Sequence, residues 1–170
     1  IADFSHNEPT FFLTHCGGFF YLLNLLSQAA NSRLLESSDR SPWLHLWHLG
    51  QNLSRHMGTE LDLPLQQFLV RQLDLDEVQA LHGFQPEPLD KQLFEFAEQR
   101  LSHHPFWPDG VIKRLARVRH EPGLLDIDFH HQNVDLDIRL AGLDINPGWL
   151  PWLGRVVTFH YLDDAELRDT

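Results

Sequence analysis

ARVRHEPGLLDIDFH, residues 116–130, decides how the second half of this chain folds. With a turn at Pro122 and Gly123, Glu121 faces Leu124 and two strands fall into one register. Arg119 then lies opposite Asp126 and Arg117 opposite Asp128, while Val118 meets Ile127 and Ala116 meets Phe129 on the other face. Opposite charges and apolar pairs directly across a ladder both stabilise it, and a slip of one residue would send both sets to the wrong face. Two-residue hairpins prefer turn types that Pro-Gly forms poorly, so a longer first loop stays open. A second turn at Gln132 and Asn133 continues the pattern, setting Phe129 against Leu136, Ile127 against Ile138, Leu125 against Leu140 and Asp126 against Arg139. Its weak point is Asp128 opposite Asp137, two like charges that Arg117 can bridge. The result is an antiparallel meander with one apolar and one charged face. Val134 to Ala141 also fits a short helix, with Asp135 and Asp137 near its start, Arg139 near its end and Gly142 as its cap. Arg155 to Tyr161 alternates Val157, Phe159 and Tyr161 with Val156, Thr158 and His160, the pattern of a last strand.

Upstream the period is helical. Thr14 is a candidate N-cap for a helix from about His15 to Gln28, where Phe19, Phe20, Leu22, Leu23, Leu25 and Leu26 leave almost no polar side. Residues 30–40 read as a polar loop. Ser41 and Pro42 start a helix that Gly58 stops. Along it Trp43, Leu46, Leu49, Leu53 and Met57 share one face, while His45, His48, Asn52 and His56 form an outer histidine stripe. Asp62 with Pro64 opens a short helix, and Asp74 with Glu77 a second, closed by Gly83. After a kinked linker, Gln85 to Pro88, a helix from Leu89 to Ser102 buries Leu93, Phe94, Phe96, Ala97 and Leu101 and ends before Pro105.

Composition bounds the function. The 170 residues carry 24 acids against 13 lysines and arginines, a net charge of −11. That field repels phosphate backbones, and the one basic cluster, Lys113 to His120, is partly neutralised by the pairing above, so nucleic acid is excluded as a partner. Cys16 is the single cysteine, which rules out an intramolecular disulfide and a Cys-rich zinc site and suits a reducing, cytoplasmic compartment. The most apolar run, Gly17 to Leu26, is about half a membrane span. The chain begins at Ile1 and its one methionine is Met57, so it reads as a piece of something longer.

Among candidate sites, His45 and His48 lie one turn apart and can supply two metal ligands, with a third to come from His15 or His131. A solvated helix face is the plainer account of them. Asp126, Asp128, His130, His131, Asp135 and Asp137 are the raw material of a metal-assisted hydrolase, but the hairpin already engages the acids with arginines. Cys16, beside His15, enters the most apolar helix and reads as buried. The stretch Asn146 to Arg155 holds two prolines and two glycines among Trp149, Leu150, Trp152 and Leu153. Either it folds back as a lid on the core, or it anchors a partner, since tryptophan and arginine are common hot spots. His104 to Pro108, with Phe106 and Trp107, is a similar aromatic connection. Trp149, Leu150, Trp152, Arg155, Phe106 and Trp107 are thus the candidate partner-binding residues.

The segments THCGGFFYLLN (14–24) and GLDINPGW (142–149), followed by residues 154–161, resemble a poorly characterised bacterial family associated with gene clusters for phage-tail-like contractile injection systems. The resemblance reaches both ends of the chain and implies an assembly or accessory role, with no catalytic residues to carry over. The expectation is one α+β domain over 1–170, its helical N-terminal two thirds packed on a small antiparallel C-terminal sheet. It acts as a non-enzymatic interaction domain without cofactor, for a protein partner or other parts of its own longer chain. Two alternatives stand beside it: a metal-dependent hydrolase using the Asp/His cluster, and a small-molecule binding module with its pocket between helices and sheet.

Overall fold

A computed structural model describes residues 10–107, 109–163 and 165–166, so Pro108 and Asp164 lie outside the described residues. The hairpin forms in the expected register. Strand β2 (Ala116–Glu121) pairs antiparallel with β3 (Leu124–His130), with Arg119 opposite Asp126, Arg117 opposite Asp128 and Ala116 opposite Phe129. The connection is the two-residue one: Pro122 fixes its own φ, and Gly123 takes φ +80°, which an L side chain rarely adopts.

The rest of the sheet corrects the meander. Val134 to Ala141 does not return as a third strand. Its middle is helix α8 (Leu136–Leu140), whose start is capped by the Asp135 carboxylate accepting from the Asp137 and Ile138 amides at 2.8 and 3.3 Å. Arg139 accordingly meets Asp144, not Asp126. The neighbour of β3 is instead β5 (Arg155–Leu162), running parallel, which sets His160 where Asp137 would have faced Asp128. A like-charge conflict is thereby avoided. Two further strands were not foreseen: β1 (Thr10–Thr14), antiparallel to β2, and β4 (Gly148–Leu150), antiparallel to β5. The sheet is mixed, in the order β1-β2-β3-β5-β4, and not wholly antiparallel.

The fold is α+β, with most of its helix before the hairpin. Thr14 ends a strand and does not cap a helix. The chain then makes a 3-10 turn at Gly17–Tyr21 before α1 (Leu22–Leu26). Backbone crowding explains the two glycines there. A Cβ on Gly18 would stand 1.5 Å from the Val111 carbonyl oxygen, and one on Gly17 2.4 Å from Ala116 Cβ. Residues 30–40, expected as loop, are largely helix α2 (Ala29–Ser37). Helix α3 (Pro42–His56) starts as expected, with Ser41 Oγ accepting from the Trp43 amide, and ends at Met57 before Gly58 at φ +72°. Next come α4 (Leu63–Gln72) and α5 (Val78–His82). The latter begins after Glu77, whose side chain makes no capping bond, and not at Asp74, which sits at φ +55° and cannot open a helix. The capping box belongs to α6 (Pro88–Leu101), between Glu87 and Asp90. A single turn, α7 (Asp109–Ile112), leads to the hairpin.

The helices bury one face of the sheet. Val118, Ile127, Phe129 and Val157 on that face are fully buried, and Tyr21 stacks on Phe129 with ring centroids 4.9 Å apart. Phe12 of β1 meets Phe68 of α4 at 5.4 Å. No described helix is long and apolar enough to cross a membrane.

Candidate functional site

The opposite face of the sheet has a charged centre and apolar margins. Register and alternation put Phe11 and Leu13 of β1, Arg117 and Arg119 of β2, Asp126 and Asp128 of β3, Val156, Thr158 and His160 of β5 and Trp149 of β4 on it together. At the centre Asp128, 1% exposed, takes two arginines. Arg117 donates to its Oδ2 from Nε and Nη2 at 3.1 and 2.9 Å. Arg119 donates from Nε to Oδ2 at 2.9 Å and from Nη2 to Oδ1 at 3.1 Å. Asp126 is left with looser contacts, Arg119 at 3.8 Å and His160 at 3.7 Å. The cross-strand ion pairs thus form, drawn diagonally onto Asp128. At the margins Phe11, Leu13, Trp149 and Val156 are 57, 59, 59 and 38% exposed.

The tryptophan stretch divides between the two roles open to it. Leu150, Trp152 and Leu153 are buried in the core, as a lid would be, while Trp149 points away from it. Arg155 donates to Gln72 Oε1 at 2.9 Å, tying β5 to the end of α4. Phe106 is buried beside α7, stacked on His104 at 4.9 Å, and Trp107 is partly buried against the core. Of the six candidate residues, Trp149 alone offers a largely free side chain. Phe11 and Leu13, which share its face, were missed by sequence reasoning, because TFFLT shows strand pattern on neither side: both faces are apolar.

The histidine stripe of α3 is corrected. His45 is completely buried, its Nδ1 2.6 Å from Asp90 Oδ1 and its Nε2 2.7 Å from Ser38 Oγ, and His48 is buried too. Of that stripe, only His56 at the C-terminal end is exposed. Burial raises the Asp90 pKa, but the bonds from His45 and the Glu87 amide outweigh it and hold the carboxyl below its ordinary value. Burial of His48 lowers its pKa. His15 is exposed elsewhere, next to Asp62. His130 and His131 face each other at 4.5 Å, and the His130 Nδ1 accepts from the Gln132 amide. Among the described residues no three His, Cys, Asp or Glu side chains stand close enough to hold a metal ion. Cys16 is buried, and burial pushes its thiol pKa up, against nucleophilic use.

The two segments that carry the resemblance meet in space. Asn24 Nδ2 donates to the carbonyls of Leu143 and Ile145 at 2.7 and 2.6 Å. The Tyr21 and Tyr161 hydroxyls are 2.6 Å apart, and Tyr161 reaches toward Asp144 Oδ2 at 3.5 Å. Burial and the bond to Tyr161 raise the Tyr21 pKa far above its usual value. Asn146 Oδ1 accepts from the Phe159 amide at 2.7 Å. No family model matches the chain, and neither a curated protein nor a solved structure is significantly similar to it.

Proposed function

We propose that this domain is a non-enzymatic interaction module that seats a partner protein on the outer face of its sheet, as an accessory or assembly component of a phage-tail-like contractile injection system. The observation that carries this reading is the set of four large apolar side chains, Phe11, Leu13, Trp149 and Val156, exposed on one sheet face. Single exposed apolar residues are ordinary, but two at each margin of one sheet face give a protein that spans the face apolar area to cover. Tryptophan is enriched among the residues that anchor such surfaces. The partner this face fits is a folded protein with apolar contacts at both margins, because the arginines between them are already engaged by Asp128. Nucleic acid does not fit a chain of net charge −11. The injection-system assignment rests on the resemblance, and a cytoplasmic site on the lone cysteine.

The test uses Leu13→Ser with Trp149→Ser. Both side chains are exposed, so the far-ultraviolet spectrum and melting midpoint are expected to stay as in the parent, while a partner recovered with the native protein, and shown to rebind when purified, is lost. Trp152→Ala, in the core, is expected to cost about 3 kcal/mol of stability. Undiminished partner binding by the double variant refutes the assignment of this face, and light scattering distinguishes a second copy of the chain as the occupant.

A further inference from the structure

We infer that the cleft between α3 and the start of α6 binds a small molecule bearing a carboxylate on a flat body. The cavity measures about 280 Å³, the size for a small metabolite and too small for a dinucleotide or a peptide.

The floor of this cleft is polar and unsatisfied. Gln51 is 3% exposed, yet among the described residues neither its Oε1 nor its Nε2 has a hydrogen-bond partner. The buried Nε2 of His48, one turn earlier, makes none either. Both side chains line the cavity. His45 shows the contrast: three residues before His48 on the same helix, it is held at both ring nitrogens. Burying an amide without partners is costly, and an apolar residue of similar size would avoid that cost. The amide gains from an occupant that bonds to it.

The mouth supplies the sign of the ligand. Arg55 and Lys91 line the cleft, are exposed, and have no ion pair among the described residues. The acids at the start of α6 are engaged elsewhere: Asp90 by His45 and Glu87 by Arg40. Two free cations at one opening, in a chain of net charge −11, are complementary to an anion, and a guanidinium matches a carboxylate in geometry. The walls supply the shape. Trp47 and Phe84 line the cavity, with His82 edge-on to Trp47 at 5.0 Å. A flat apolar body fits between them, its carboxylate at Arg55 and Lys91 and a hydrogen-bonding group at Gln51 and His48. Burial keeps the His48 ring neutral at neutral pH, so its Nε2 serves as donor or acceptor by choice of tautomer.

The probe is 4-hydroxybenzoate, with 4-hydroxybenzamide as its uncharged control, titrated calorimetrically into the full chain. The acid is expected to bind with a Kd of about 1 mM or tighter and the amide about tenfold more weakly. Arg55→Gln with Lys91→Gln is expected to lose that tenfold for the acid and nothing for the amide. Gln51→Leu is expected to weaken the acid about tenfold while raising the melting midpoint of the free protein by about 2–4 °C. A glutamine serving only the fold would not move the two readouts in opposite directions. No binding of the acid at about 10 mM, equal affinity for acid and amide, or a lowered midpoint in Gln51→Leu each overturns the inference.

Discussion

Asp128→Leu tests whether the charged centre of the sheet is held by a buried ion pair or merely decorated with one. The carboxylate it removes accepts four hydrogen bonds from Arg117 and Arg119, and Arg117 is itself buried. Arg119 is partly exposed and keeps Asp126 at 3.8 Å, so water and that neighbour compensate it, and its share is small. Arg117 keeps its charge and loses this counter-charge. Stranding one member of a buried pair costs about 3–5 kcal/mol, a large part of the roughly 5–15 kcal/mol that holds such a domain together. For a chain of this size the melting midpoint falls by about 6–20 °C. Adding Arg117→Met removes the guanidinium as well, and a buried pair replaced by apolar side chains is close to neutral. The double variant is therefore expected to recover to within about 1 kcal/mol of the parent. Urea unfolding followed by circular dichroism and tryptophan fluorescence measures all four corners of the cycle, provided the two probes coincide. A cost below about 1 kcal/mol for Asp128→Leu, or a double variant no more stable than it, refutes the reasoning.

Two other perturbations separate further contributions. Gly18→Ala places a methyl 1.5 Å from the Val111 carbonyl oxygen, which only backbone movement can relieve, so it is expected to cost about 3 kcal/mol or more. Gly58→Ala meets nothing within 4 Å and is expected to cost only the about 1–2 kcal/mol of its φ of +72°; equal costs in urea unfolding would contradict the packing account. His48 and His120 both have pKa values lowered by burial, so the unfolded chain takes up their protons first as pH falls. Their contribution is intact above about pH 6.5 and is lost as pH falls from there toward the folded-state values. Around them stand Asp90, Arg40, His45 and Arg55 for His48, and Arg71 and Arg155 for His120. His48→Leu with His120→Phe is expected to lose less stability than the parent between pH 7.5 and 5.5, and an equal loss in both would remove the histidines from the account.

The hairpin was legible because two independent patterns, charge pairs and apolar pairs, agree on one register for residues 116–130. Where a single pattern acted alone the reading failed. Alternation in Arg155 to Tyr161 identifies a strand but carries no information about its neighbour, so parallel pairing with β3 through α8 and β4 stayed hidden. TFFLT does not alternate at all, since Phe12 faces the core and Phe11 and Leu13 face out. The helical spacing of His45 and His48 suggests an exposed face, because polar residues usually mark one. Their burial depends on α6, whose Asp90 lies 45 residues further on. Gln51 gave no signal for the same reason: a glutamine on a helix looks solvated until something covers it.

The two polar clusters differ in a way that bears on function. On the outer sheet face the central charges are matched within the chain: Asp128 is surrounded by guanidinium donors, and the Asn24, Tyr21, Tyr161 and Asn146 contacts bind the 14–24 and 142–161 segments to one another, while the buried His120 and Trp152 ring nitrogens stand without partners at separate places in the core. Residues so occupied fix the fold and leave little for chemistry. Around α3 such groups gather in one cleft, with a buried amide and an imidazole nitrogen lacking partners and two cations without ion pairs at the opening among the described residues. Buried polar groups in folded proteins are overwhelmingly bonded, so such an imbalance calls for a physical reason. The reason offered by the geometry is a ligand in that cleft, separate from the apolar sheet face. Because the cleft is built on α3 and α6 and the face on β1 and β4, variants at Gln51 are expected to leave partner binding through Leu13 and Trp149 untouched. Loss of partner binding in Gln51→Leu would show that the two surfaces act as one.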